Sequence, residues 1–178
     1  MTPPSKEIYQ PLVAAHDFIS SRLLYFFNND DFADTEFAVN EFDVFAIFIA
    51  TIAFLNNKEP SEEMGTVVED FHATMMNVIV QRILAAQPEQ ASVDKEEALA
   101  DLIKKIFEER FRHYFHIFKK GSDEDVQQMY IKLADAFLDS AVKESGPQET
   151  LSRFTSFVIE LFDEVSVLLQ KTESLAGS

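Results

Sequence analysis

The chain contains no cysteine and no tryptophan, and only 4 of its 178 residues are glycine. Without cysteine it forms no disulfide, no thiolate zinc site and no iron–sulfur cluster, and it has no thiol nucleophile. Its few glycines build no glycine-rich phosphate loop and no dinucleotide-binding fingerprint. The sequence also lacks a nucleophile elbow, a zinc-protease helix and an EF-hand loop. We therefore expect a protein that is not an enzyme and that uses no cofactor.

Basic residues are scarce as well. Lysine and arginine total 15 against 31 aspartate and glutamate residues, which gives a net charge of −16. Contacts to phosphate need clustered lysine and arginine, so this composition argues against nucleic acid and against an anionic membrane surface. A strongly acidic surface attracts basic partners. We expect the partner to be another protein with a basic surface.

No segment of the sequence has the pattern of an export signal or a membrane span. The start, MTPPSKEIYQ, lacks the order of basic and then apolar residues that a secretory signal needs. No apolar run reaches the roughly 20 residues that cross a bilayer. Together with the absence of cysteine, this leads us to expect a cytoplasmic location.

The longest apolar stretch is FDVFAIFIATIAFL, residues 42–55. After Asp43 its only polar residue is Thr51. A helix without a polar face must be surrounded by other elements. The chain also has 18 phenylalanines, which suit either a thick core or the lining of an apolar cavity. We predict a buried central helix over roughly residues 34–56.

Helical periodicity extends over the rest of the chain, and alternation typical of strands does not occur. We predict an all-α fold: one domain spanning residues 1–178, a bundle of about six helices around the central one, with residues 1–9 and 174–178 frayed. Ser61 is expected to cap the third helix, and Asp94 with Glu97 to form a capping box for the fourth. Gly121 is expected to end the fourth helix in a left-handed conformation, and Ser122 with Asp125 to open the fifth.

Four residues are candidates for a metal site. Glu69 and His72 form a Glu-x-x-His motif, the spacing with which di-iron bundles present ligands, but a second such motif does not occur. His113 and His116 lie three residues apart and could reach one metal. The second pair lies in a segment rich in lysine and arginine, where positive charge repels a metal ion. We therefore favour no metal site, and we interpret this basic segment as an offset to neighbouring acidic helices rather than an anion site.

Two charged groups conflict with apolar surroundings. Arg110 falls within the apolar arc of the fourth helix, and Asp43 lies at the start of the central run, on the side of Glu36. Since buried charges are normally paired, we predict that Arg110 meets Asp43 or Glu36. The contact is either a structural pair, which we favour, or the polar end of a ligand pocket.

Three functions agree with these patterns. The first is an acidic, non-enzymatic helical module for protein–protein interaction, of the chaperone, immunity or adaptor type. The second is a carrier or sensor of an apolar small molecule in a cavity lined by phenylalanine. The third, less favoured, is a metal-dependent oxidoreductase in a helical bundle. Both a monomer and a homodimer are compatible with the wide apolar faces of the fifth and sixth helices.

Overall fold

A computed structural model describes residues 9–29, 39–59, 61–86, 93–122, 125–141 and 148–176 of the chain. These residues contain no strand and form six α-helices: α1 (Gln10–Asn29), α2 (Val39–Asn56), α3 (Glu62–Ala85), α4 (Val93–Ser122), α5 (Val126–Ala141) and α6 (Gln148–Ala176). The predicted all-α bundle is confirmed. None of the described helices is both long enough and apolar enough to cross a membrane.

Helix α2 occupies the middle of the bundle. Every residue from 41 to 54 is buried, and α2 contacts each of the other five helices. This position follows from the sequence, because a helix that is apolar on all sides is stable only when other helices cover it. Its end at Asn56 agrees with the prediction, while the predicted start at residue 34 lies outside the described residues.

The other helices pack around α2 in a consistent order. Helix α1 packs against α2 and α6, α5 packs against α4 and α6, and α3 packs against α2 and α4. Each of them turns an apolar stripe inward, as the three-and-four spacing of its apolar residues requires. The polar residues of α2 therefore meet side chains from several helices at once.

Two helix starts are fixed by side-chain caps. The Ser61 hydroxyl accepts a hydrogen bond from the backbone N–H of Met64 at 3.2 Å, which confirms the predicted cap of α3. At α5 the Asp125 carboxylate accepts the N–H groups of Gln127 and Gln128. Ser122 is the last residue of α4 rather than part of this cap. The side chain of Asp94 lies outside the described residues.

The prediction for Gly121 was wrong. Helix α4 continues through Gly121 to Ser122, and no described glycine has a positive φ. A Cβ atom at position 121 would lie 2.4 Å from the Cβ atom of Met129. Glycine is needed here because α4 and α5 approach each other closely, not because the chain adopts a left-handed turn.

The described residues extend close to both ends of the chain. Helix α6 continues to Ala176, and the fraying that we predict from residue 174 stays a prediction. Residues 1–8, 177 and 178, which we also expected to fray, lie outside the described residues. Tyr9 is described, and its carbonyl oxygen accepts hydrogen bonds from the N–H groups of Leu12 and Val13 in the first turn of α1.

Candidate functional site

The first turns of α2 bury two carboxylates. Glu41 and Asp43 expose only 7% and 6% of their surface. An isolated charge in such a position costs several kcal/mol, so each carboxylate needs a partner or a proton. Because they are two residues apart on a helix, they point in different directions and meet different neighbours.

Asp43 lies between α1 and α3. The Arg82 guanidinium donates to both carboxylate oxygens, with an Nη1–Oδ1 distance of 3.4 Å, and His16 Nε2 lies 3.7 Å from Oδ1. Burial acts to raise the pKa of Asp43, but the contacts with His16 and Arg82 outweigh it and hold the pKa below its usual value. Asp43 is therefore an ionised carboxylate, and its contacts with His16 and Arg82 join three helices.

Glu41 lies on the side of α4 and α5. The Tyr114 hydroxyl donates a hydrogen bond to its Oε1 atom, and Arg110 Nε lies 3.8 Å from Oε2. Arg110 also donates to the Ser140 hydroxyl at 2.8 Å. Burial raises the pKa of Glu41, although the Tyr114 bond and the charges of Arg110 and His113 act to lower it. Burial and the Glu41 charge also raise the pKa of Tyr114 well above its usual value.

These contacts correct the predicted pairing. Arg82, and not Arg110, meets Asp43, while Arg110 meets Glu41. Asp43 and Arg110 are recognisable in the sequence as charges that need partners, but the partners are not, since they come from other helices. Glu36 lies outside the described residues, so its part in the prediction is not addressed.

The partners that we missed left a signal in the sequence. His16 follows Leu12 by four residues, and Arg82 follows Met75 by seven, so each lies on the apolar face of its helix. Tyr114 is buried, with 1% of its surface exposed, and carries a hydroxyl group into the core. A polar group on the apolar face of a helix calls for a polar partner, and this rule would have marked all three.

A further polar contact joins α2 to α3. Thr51, the one polar residue of the central run, shares a hydrogen bond of 2.9 Å with His72 Nε2. The His72 ring also packs edge-on against Phe107 and Phe111, with the centroid of Phe111 at 4.7 Å. Burial lowers the pKa of His72 to about 4, so its ring is neutral at pH 7.

The structure does not bring the four metal candidates to one point. The His72 Nε2 atom is engaged by Thr51, and Glu69, His113 and His116 belong to the exposed residues. Among the side chains that the structure describes, no group of three histidine, aspartate or glutamate residues could hold a metal ion. The described residues thus offer a set of structural polar contacts rather than a metal centre.

The phenylalanine rings of the core pack against one another. Ring centroids lie 4.6 Å apart for Phe45 and Phe137, 5.0 Å for Phe137 and Phe154, and 5.5 Å for Phe27 and Phe154. These are ordinary contact distances for aromatic pairs, which add stability beyond the area they bury. The rings therefore fill the space between α1, α2, α5 and α6.

Known proteins give no further guide to a site. No family model, no curated protein and no solved structure matches this chain.

Proposed function

We propose that this protein is a non-enzymatic, cytoplasmic interaction module that binds a basic surface of another protein, in the manner of a chaperone, an immunity protein or an adaptor. The observation that supports this most directly is the use that the fold makes of its arginines. Arg82 and Arg110 turn toward the buried carboxylates Asp43 and Glu41. Two of the chain's few basic side chains are thus paired with buried carboxylates, while 47% of the Arg82 side chain and 44% of the Arg110 side chain stay exposed.

Many of the described surface carboxylates have no such partner among the described residues. Arg22 pairs with Glu164 at 3.1 Å, across α1 and α6. By contrast, no ion pair between described residues involves the exposed carboxylates of the α3 start or of the outer faces of α5 and α6: Glu59, Glu62, Glu63, Glu69, Asp135, Asp139, Glu160 and Asp163. Exposed charges of one sign produce a field that accelerates encounter with a partner of opposite charge.

The interior supports this choice among the three functions. A carrier needs a cavity for its ligand, whereas the described phenylalanine rings touch one another. An oxidoreductase needs a set of metal ligands, whereas His72 bonds to Thr51. A surface function makes no demand on the interior and uses the charge that the chain has in excess.

The proposal is tested on an array of peptides that vary in net charge and apolar content. We expect binding to basic peptides only, and we expect it to weaken strongly between about 0.1 M and 1 M salt, where the screening length falls from about 10 Å to about 3 Å. Binding that is equal for acidic and basic peptides, or insensitive to salt, would contradict the proposal. The same samples, analysed by light scattering, distinguish the monomer from the homodimer.

A further inference from the structure

A surface groove lies where three helix ends meet. Pro11 of the first turn of α1, Phe54 of the last turn of α2, and Met64 and Val67 of α3 form part of its wall. Its volume is about 260 Å³. Phe54 and Val67 are otherwise buried, with 7% and 6% of their surface exposed, so the groove reaches down to the edge of the core.

The rim of the groove is polar and charged. Lys58, Glu59, Ser61 and Glu63 complete the lining, and all four are exposed residues. The Ser61 hydroxyl is occupied by the cap of α3, and the Lys58 ammonium lies 5.7 Å from the centre of the Phe54 ring. Glu59 and Glu63 form no ion pair with a described residue, and Glu62, which precedes Glu63 in the sequence, adds a third negative charge.

We propose that this groove is the docking site for a segment of the partner protein that carries an apolar side chain next to a lysine or arginine. This docking site rests on the proposed function, and it assigns the binding of the partner to one place on the surface. The apolar side chain enters between Phe54, Met64 and Val67. The neighbouring cation meets Glu59 and Glu63 at the rim.

The size of the groove favours a peptide over a small molecule. Pockets for small molecules have volumes of about 300–1,000 Å³ and bury most of the ligand, whereas this groove is smaller and open. It has room for one or two side chains of an extended or helical segment, which is how short peptides dock on helical proteins. Methionine in the wall suits this use because its flexible side chain adapts to different apolar groups.

Charge complementarity favours a basic segment. Glu59 and Glu63 outnumber Lys58 at the rim, and the Lys58 ammonium already lies 5.7 Å from the centre of the Phe54 ring. An incoming cation is therefore attracted to the carboxylates rather than to the aromatic face. The overall charge of −16 adds a long-range attraction for the same basic segment.

The test uses the full chain with ¹³C-labelled methionine methyl groups and a short peptide in which leucine and lysine alternate. Binding should shift the methyl signal of Met64, which lines the groove, and leave that of Met129, which is buried between α4 and α5, unchanged. Two further peptides, one with glutamate in place of lysine and one with serine in place of leucine, should not shift the Met64 signal at the same concentration. Equal shifts with all three peptides would overturn the proposal.

Two variants and a matched control follow the affinity by fluorescence anisotropy. Glu59→Gln with Glu63→Gln should weaken binding of the leucine–lysine peptide by about twofold to thirtyfold, since each exposed ion pair contributes about 0.2–1 kcal/mol. Met64→Lys, which places a cation in the groove, should weaken it by about tenfold or more. Glu160→Gln with Asp163→Asn removes the same charge from α6 and should leave the affinity within about twofold.

The outcomes separate the docking site from the proposed function. A peptide that binds with the expected salt dependence but loses affinity only in the α6 control would overturn the groove and leave the interaction module standing. A peptide that reaches the groove only after residues 1–8 are deleted would identify the chain's own start as the occupant and would also overturn the proposal. The absence of binding by any basic peptide would contradict both.

Discussion

Three polar residues of the buried helix α2 each meet a polar side chain from another helix. Glu41 contacts Tyr114, Asp43 contacts Arg82, and Thr51 contacts His72. Each contact satisfies a group that would otherwise be costly to bury, and each is specific to one arrangement of the helices. At the scale of single residues, substitutions at these contacts therefore test the described packing of the helices most directly.

The contact of His72 makes stability depend on pH. The unfolded chain takes up a proton at His72 near the ordinary pKa of 6.5, whereas the folded chain takes it up near 4. The contribution of neutral His72 is therefore fully present above pH 6.5 and is lost as the pH falls from 6.5 to 4. The free energy of unfolding should decrease by up to about 3 kcal/mol over this window from this group.

Urea unfolding at about pH 7 and about pH 4.5 checks this prediction. His72→Gln cannot take up the proton and should lose most of that pH dependence. Thr51→Val removes the hydrogen bond and should cost about 1–3 kcal/mol at pH 7, but it should keep the pH dependence, because burial is the cause of the pKa shift. An unchanged pH dependence in His72→Gln would contradict the burial of this ring. The raised pKa of Glu41 acts in the opposite direction and is common to all three proteins.

The contact of Arg110 with Glu41 should be detectable by a double-mutant cycle. Arg110→Met leaves the buried Glu41 without its counter-charge and should lower the free energy of unfolding by about 1 kcal/mol at neutral pH, a modest value because 44% of the Arg110 side chain is exposed. Adding Glu41→Gln should recover most of that loss, since the amide oxygen still accepts from Tyr114.

Arg112→Met on the same helix is the matched control for that cycle. Arg112 is exposed, so this change should stay within about 0.5 kcal/mol of the wild type. If Arg110→Met and Arg112→Met are equally harmless, and Glu41→Gln has the same effect with and without Arg110, the two residues do not interact in solution.

At the scale of helices, packing decides whether replacing a glycine by alanine stabilises or destabilises the protein. Gly121→Ala would improve the helix propensity of α4 but would place a Cβ atom 2.4 Å from that of Met129. We expect a net loss of about 1–3 kcal/mol as the two helices move apart. Gly65→Ala in α3 meets no atom within 4 Å and should stabilise the protein by about 0.5–1 kcal/mol.

Thermal unfolding of the two glycine variants should show shifts of the melting temperature in opposite directions. Both changes make the same chemical replacement inside a helix, so propensity alone would stabilise both. A higher melting temperature in Gly121→Ala would show that α4 and α5 are farther apart than described. A lower one in Gly65→Ala would show that position 65 is covered.

The helices could be predicted from the sequence, but the contacts between them could not. Apolar periodicity and capping residues are local, so six helices, the buried run and the cap at Ser61 could be predicted. The partner of Asp43 could not, because most of α2, a turn and most of α3 separate it from Arg82, and a helical wheel contains no information on which helices meet. Gly121 shows the same limit: its neighbour Met129 is close in sequence, but the close approach is a property of two packed helices.

At the scale of the whole molecule, the described side chains of the interior contact one another. Phenylalanine rings fill the space around α2, arginines face the buried carboxylates, and His72 is bound to Thr51. The function that we propose uses the surface, because acidic residues exceed basic ones 31 to 15 in this chain. The central claim is therefore that the described interior holds no ligand and that the chain acts through its surface.

Native mass spectrometry of the protein as purified, without chelator, tests this claim most directly. We predict the mass of the polypeptide, as monomer or dimer, with no stoichiometric addition of metal or lipid, and an unchanged spectrum after extraction with organic solvent. A stoichiometric mass excess that matches iron, zinc or a lipid would contradict the claim. A lipid would point to the phenylalanine interior, and a metal would contradict the arrangement of His72 and His113 described above.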